Sequence, residues 1–97
     1  MPSILGRFTK QSDEVLDYDV DFEDWFANRT DAPDTFTVTA ETGITVVASS
    51  MPTTYVVRVV LSGGTDGAFY KITVLLTTDA ATPITKEADF VVKVKDV

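Results

Sequence analysis

DEVLDYDVDFEDWF, residues 13–26, holds seven of the fifteen acidic residues of a 97-residue chain and interleaves them with apolar side chains. Leu16, Tyr18, Val20 and Phe22 alternate with Asp17, Asp19, Asp21 and Glu23. Successive side chains of a strand point to opposite faces, so this period of two predicts a half-buried strand with one apolar and one acidic face. From Phe22 the spacing becomes i, i+3, i+4 through Trp25 and Phe26, which puts three aromatics on one face of a helical turn. A short helix or 3₁₀ turn is expected over residues 23–28, with Asp21 accepting from an amide two or three residues on. DAPD at 31–34 closes the segment with turn residues.

Downstream, the period of two continues. Phe36, Val38 and Ala40 alternate with threonines, a composition suited to a pleated surface. Ile44, Val46 and Ala48 form the next apolar face, followed by a polar turn containing Pro52. Tyr55, Val57, Val59 and Leu61 lie on one face of a segment whose other face is Val56, Arg58 and Val60. Being apolar on both sides except at Arg58, that strand is expected to be central. SGGTDG at 62–67 offers positive φ at three glycines. It leads into a strand with Tyr70, Ile72, Val74 and Leu76 inward. The last strand sets Ala88, Phe90, Val92 and Val94 against Asp89, Val91, Lys93 and Lys95. Six or seven strands at roughly ten-residue spacing predict an all-β fold, an antiparallel β-sandwich with one short helical turn after the first strand.

Upstream, residues 1–12 contain Pro2 and Gly6 and have no periodicity, so they are expected to form a flexible or partner-ordered arm. The single domain is then residues 13–97. Ile4, Leu5 and Phe8 make the arm apolar enough to touch a partner, and the row Asp17, Asp19 and Asp21 offers a second candidate contact, for a basic surface. The arm has no seven-residue apolar core and no small-residue cleavage site, so it does not read as a secretory signal.

Composition narrows the chemistry. The chain has no cysteine and no histidine, which removes disulfides, thiolate metal sites and the commonest general base. Its serines have no evident activating base, so no catalytic residue is assigned. A formal charge of −7 repels a phosphate backbone, so no nucleic-acid partner is expected. The apolar runs are far shorter than the ~20 residues of a membrane-spanning helix, so no membrane partner is expected.

Asp17, Asp19 and Asp21 mimic the first half of a calcium loop. Phe22 stands where its glycine belongs and Asn28 where its bidentate glutamate belongs. In a strand the three carboxylates spread about 7 Å apart along one face, too far to share one ion, so no metal is assigned. Lys93 and Lys95 are the expected counterparts of the acidic row, with Arg58 or Lys71 as further candidates. SGGTDG lacks the GK[ST] ending of a phosphate loop and precedes a strand, so no cofactor is assigned. Tyr18, Trp25 and Phe26 read as core, with a sugar-stacking platform as the alternative.

Assembled, these pieces resemble the small immunoglobulin-like proteins encoded among structural genes of tailed bacteriophages and prophages, described as fibre–tail adaptor or head–tail-region proteins. The residues that carry the resemblance are Asp17, Tyr18, Asp21, Phe22 and Trp25; Gly43 to Val46; Leu61 to Thr65 with Gly67, Tyr70, Ile72 and Thr73; and Phe90 to Val94. The resemblance covers residues 12–97. It implies an immunoglobulin-like sandwich and a non-catalytic virion structural protein, assembled in the host cytoplasm. It also implies homo-oligomerisation and contacts with other tail, fibre or connector proteins. The alternative reading is a carbohydrate- or surface-binding module of the same fold.

Overall fold

The computed structural model describes residues 3–97, with side chains from Phe8 onward. Seven strands and one helical turn follow in order: β1 (Ser3–Lys10), β2 (Leu16–Asp21), α1 (Glu23–Phe26), β3 (Pro33–Ala40), β4 (Ile44–Thr53), β5 (Val56–Gly63), β6 (Phe69–Thr78) and β7 (Thr85–Val94). They form two layers, a four-stranded sheet ordered β1-β7-β6-β3 and a three-stranded sheet ordered β2-β5-β4. Two sheets facing each other bury one face of each, the sandwich that the alternation predicts, with the immunoglobulin-like architecture that the resemblance implies.

The inward residues of three strands make most of the core. Val57, Val59 and Leu61 of β5, Ile72, Val74 and Leu76 of β6, and Val92 and Val94 of β7 have no exposed surface, and Phe90 almost none. Each such side chain contributes about 1.5–3 kcal/mol by leaving water. β5 is the centre of its sheet, flanked by β2 and β4, as its two apolar faces predict. Among the described residues no helix is long and apolar enough to cross a membrane.

Five features differ from the sequence-based expectations. The first is that the polar turn expected around Pro52 is part of β4, whose register breaks between Val46 and Ala48 and leaves Ala48 exposed. The segment expected as an arm through Ser12 is a strand from Ser3 to Lys10, paired parallel with β7 from Ser3↔Ala88 to Lys10↔Val94. Its register breaks between Ile4 and Arg7, around Gly6, which interrupts the alternation a sequence reading relies on. The sandwich is therefore antiparallel in every pairing except β1–β7. The helix ends at Phe26, with Ala27 and Asn28 in the following turn. Finally, Asp89 is buried on the outward face of β7 and its Oδ1 finds no partner among the described residues.

The glycine turn has a packing reason as well as a backbone one. Tyr70 is buried at the start of β6, and its hydroxyl accepts from the Thr65 amide at 2.9 Å. Gly43 and Gly64 close on the ring: a Cβ on Gly43 would stand 2.9 Å from Tyr70 Cε1, and one on Gly64 3.3 Å from Cε2. Both glycines have positive φ, +113° and +98°, a region that side chains other than glycine's rarely adopt. The β3–β4 connection and the β5–β6 turn thus grip one tyrosine from two sides.

Candidate partner interface

β1 and β2 are edge strands of opposite sheets that run along the same side of the sandwich, and Phe8 and Tyr18 meet across the gap. Their ring centroids lie 5.2 Å apart, and each also packs on Phe90 of β7, at 5.8 Å and 5.4 Å. Phe90 is buried, whereas Phe8 keeps 43% of its surface exposed. The result is an aromatic step whose base belongs to the core and whose top faces solvent. The Tyr18 hydroxyl is buried without a hydrogen-bond partner among the described residues. Burial, followed by the charges of Glu14 and Asp17, pushes its pKa above the ordinary phenol value.

Lys10 fixes the end of β1. Its side chain is buried, and Nζ donates to the carbonyls of Gln11 and Gly63, each at 2.7 Å, and to that of Ser12 at 3.4 Å. An ammonium has three donors, so these carbonyls match its capacity without a carboxylate. Gly63 ends β5, so this lysine ties the edge of one sheet to the centre of the other. Beside it, Asp96 accepts from the Ser12 amide at 2.7 Å and from the Ser12 hydroxyl. These bonds, the amide first, hold the Asp96 carboxyl below the usual range.

The acidic face of β2 is answered from its own sheet. Antiparallel pairing sets Asp19 directly opposite Arg58 of β5. The guanidinium grips Asp19 with two bonds, Nε to Oδ1 at 2.8 Å and Nη2 to Oδ2 at 3.1 Å, and approaches Asp17 at 3.7 Å. The bond from Arg58 lowers the Asp19 pKa and raises that of Arg58. Asp21 Oδ1 accepts from the Glu23 amide at 2.8 Å, two residues on, and so serves the start of α1. Lys93 and Lys95 lie beyond this face, at the end of β7 in the other sheet, where Lys93 Nζ sits 5.2 Å over the exposed Phe69 ring. Arg58 takes the role because strand pairing fixes which cation stands opposite. Among the described residues no group of three or more acidic side chains is disposed to hold a metal ion.

Of the six candidate contact residues, the structure brings Phe8, Asp17, Asp19 and Asp21 to this one side. The side chains of Ile4 and Leu5 lie outside the described residues. Sequence reasoning did not single out Lys10: a cation at a strand end gives no signal that its head will meet carbonyls.

Trp25 lies at the end of this side. Half-buried, it meets Phe26 edge to face at 4.8 Å, while Phe26 packs on Tyr55 at 5.3 Å. The Arg29 guanidinium lies 4.5 Å from the indole centroid and is held by two bonds to Asp31, at 2.8 Å and 2.9 Å. That pairing raises the pKa of Arg29 and lowers that of Asp31. Lys86 Nζ is 5.7 Å away, at the rim of an open hollow of about 270 Å³ shared with Asp21, Asp24 and Glu87. A stacking sugar would have to displace the arginine from the ring face it covers.

A family model described as the podophage GP4 fibre-tail adaptor protein gp77 matches residues 10–93. The match takes in the sandwich from β2 onward nearly to the end of β7, and of β1 only Lys10. No curated protein matches the chain. The chain therefore belongs to the podophage GP4 fibre-tail adaptor (gp77) family, a family of phage structural proteins.

Proposed function

We propose that this fibre-tail adaptor works without catalysis, by holding other virion proteins through the side of the sandwich formed by β1 and β2. The observation that carries this reading is the Phe8 step: an exposed aromatic, rigidly backed by Tyr18 and Phe90, beside a carboxylate row. Aromatic side chains on a rigid base make effective anchors, because little freedom is lost when a partner covers them. The rim of Asp17 and Asp21 favours a neighbour that presents Lys or Arg, steering the encounter and setting its orientation. Residues 8–12 add contact surface at the same edge, and assembly proceeds in the host cytoplasm before the protein is carried in the particle.

The test is reconstitution with the purified tail and fibre proteins of the same phage. The Phe8→Ala variant is expected to lose most of its binding while keeping its melting temperature within a few degrees, since Phe8 is half-exposed. Asp17→Lys is expected to slow association and to flatten its salt dependence. Binding unchanged in both variants would refute the assignment of this side, and absence of the chain from purified particles would refute the adaptor reading.

A further inference from the structure

The sandwich has four edge strands, and all four carry guards against pairing with another chain, but those of β3, namely Pro33, Asp34 and a register break between Pro33 and Thr35, are confined to its first two residues. β1 breaks register between Ile4 and Arg7 and turns the charged Lys10 inward; β2 presents its acidic row; β4 breaks register twice, between Val46 and Ala48 and between Ser50 and Thr53, and contains Pro52. Charges, bulges and prolines are the devices by which proteins blunt an exposed edge. β3 has none of them from Thr35 to Ala40. Over those six residues it keeps an unbroken register with β6, from Thr35↔Thr77 to Ala40↔Ile72, with Thr35, Thr37 and Thr39 exposed. Among the described residues, no backbone hydrogen bond beyond the β6 ladder involves this segment. Its outer edge offers a regular row of donors and acceptors.

We propose that this edge pairs antiparallel with the same edge of a second copy, joining two four-stranded sheets into one of eight. The sequence of β3 matches itself in this arrangement. With Thr37 opposite Thr37 of the second copy, Thr35 meets Thr39, and Phe36 meets Val38. Threonines then line one continuous face and apolar residues the other, and facing threonines are a favourable cross-strand pair. Charge favours a second copy over an acidic or basic partner strand. Residues 35–57 contain one charged side chain, Glu41, and its carboxylate already accepts from the Lys71 amide. Two chains of net charge −7 can meet here with their acidic β2 rows turned to the opposite sides. The contact is small, so the dimer is expected to be weak. The proposal is independent of what the β1–β2 side holds.

Sedimentation velocity of the purified full chain across the micromolar to millimolar range tests it, alongside Thr37→Lys and Thr37→Glu, whose folding is checked by circular dichroism. Residue 37 would lie about 5 Å from its counterpart across the two-fold axis, so each variant alone should associate at least about tenfold more weakly than the native chain. Mixing the two variants should restore association. A native chain that stays monomeric throughout overturns the proposal, as does native-like association of either folded variant or a mixture no stronger than its components. Capture of a strand from a tail or fibre protein at this edge, lost in Thr37→Lys while the native chain alone is monomeric, would also overturn it.

Discussion

Replacing Gly64 with alanine tests how the β5–β6 turn is built. Gly64 sits at φ +98°, and an added Cβ would stand 2.5 Å from Val94 Cγ2 and 3.3 Å from Tyr70 Cε2. Val94 cannot easily retreat. It has no exposed surface, its amide donates to the Ala68 carbonyl at 2.9 Å, and its carbonyl accepts from the Gly67 amide at 2.7 Å. The substitution therefore adds a steric term to a conformational one. Left-handed backbone costs a non-glycine residue about 1–2 kcal/mol, and an extra methyl group in a filled core costs about 1–3 kcal/mol. The loss is expected to be about 2–5 kcal/mol, a large part of the ~5–15 kcal/mol that holds a domain together. At about 4–8 °C per kcal/mol for a domain of this size, melting should fall by roughly 8–40 °C. Gly67 supplies the control. Its φ is +86°, but nothing lies within 4 Å of a Cβ placed there, so Gly67→Ala should lose only the conformational part, about 1–2 kcal/mol. Thermal and urea unfolding of both variants measures the difference. Equal losses at the two positions would refute the claim that Gly64 is required by its contact with Val94 and Tyr70.

Further expectations follow from the ties between the sheets and from the ion pairs. Lys10→Met keeps the buried stem but removes the ammonium from the Gly63 carbonyl and leaves that of Gln11 with the Glu14 amide alone, which should cost about 1–3 kcal/mol; hydrogen exchange should show β1 amides losing protection before those of β5 and β6. Arg58→Ala removes the cation between Asp17 and Asp19, yet all three side chains are exposed to screening solvent, so the urea midpoint is expected to stay close to that of the native chain, and a large loss would mean the pair is structural. The lowered pKa values of Asp19, Asp31 and Asp96 mean that the unfolded chain takes up protons before the folded one as the pH falls. Their contribution is thus fully present above the unfolded carboxylate value of ~3.9 and lost as the pH drops through the lower folded values. Melting temperatures should decline below about pH 4, and Asp19→Asn should make that decline shallower. Tyr18 has the opposite linkage: its raised pKa stabilises the fold below the unfolded value of ~10, and this contribution disappears as the pH rises through the folded value.

Much of the sandwich could be read from residues alone because its inner faces are simple. In β5, β6 and β7 the apolar positions recur every second residue without interruption, and the same positions are the buried ones. The acidic row of β2 was legible for the same reason, down to Asp21 serving the turn that follows. β1 was not legible, because the break near Gly6 destroys its alternation and because Lys10 places a cation inward. Its burial becomes sensible only once the carbonyls of Gln11, Ser12 and Gly63 converge, and that depends on tertiary structure. The identity of the cation facing β2 depends on register: Arg58 stands opposite Asp19 because of how two strands pair, and sequence separation carries no such information. Asp89 follows the outward period of β7 and is nevertheless buried, since alternation predicts which face a residue takes but not whether that face is covered. The tyrosine grip was visible only as a glycine-rich turn, since nothing local says that Gly43, on another connection, closes on the same ring as Gly64.

Electron cryomicroscopy of the assembled phage particle tests the adaptor assignment most directly, at a resolution that places strands. The predicted result is this sandwich at the junction of tail and fibre, with a neighbouring protein covering Phe8 and presenting basic side chains to the Asp17–Asp21 row. A particle in which the chain is present but its β1–β2 side faces open solvent would contradict the proposed interface, and a particle without the chain would contradict its role as a component of the virion.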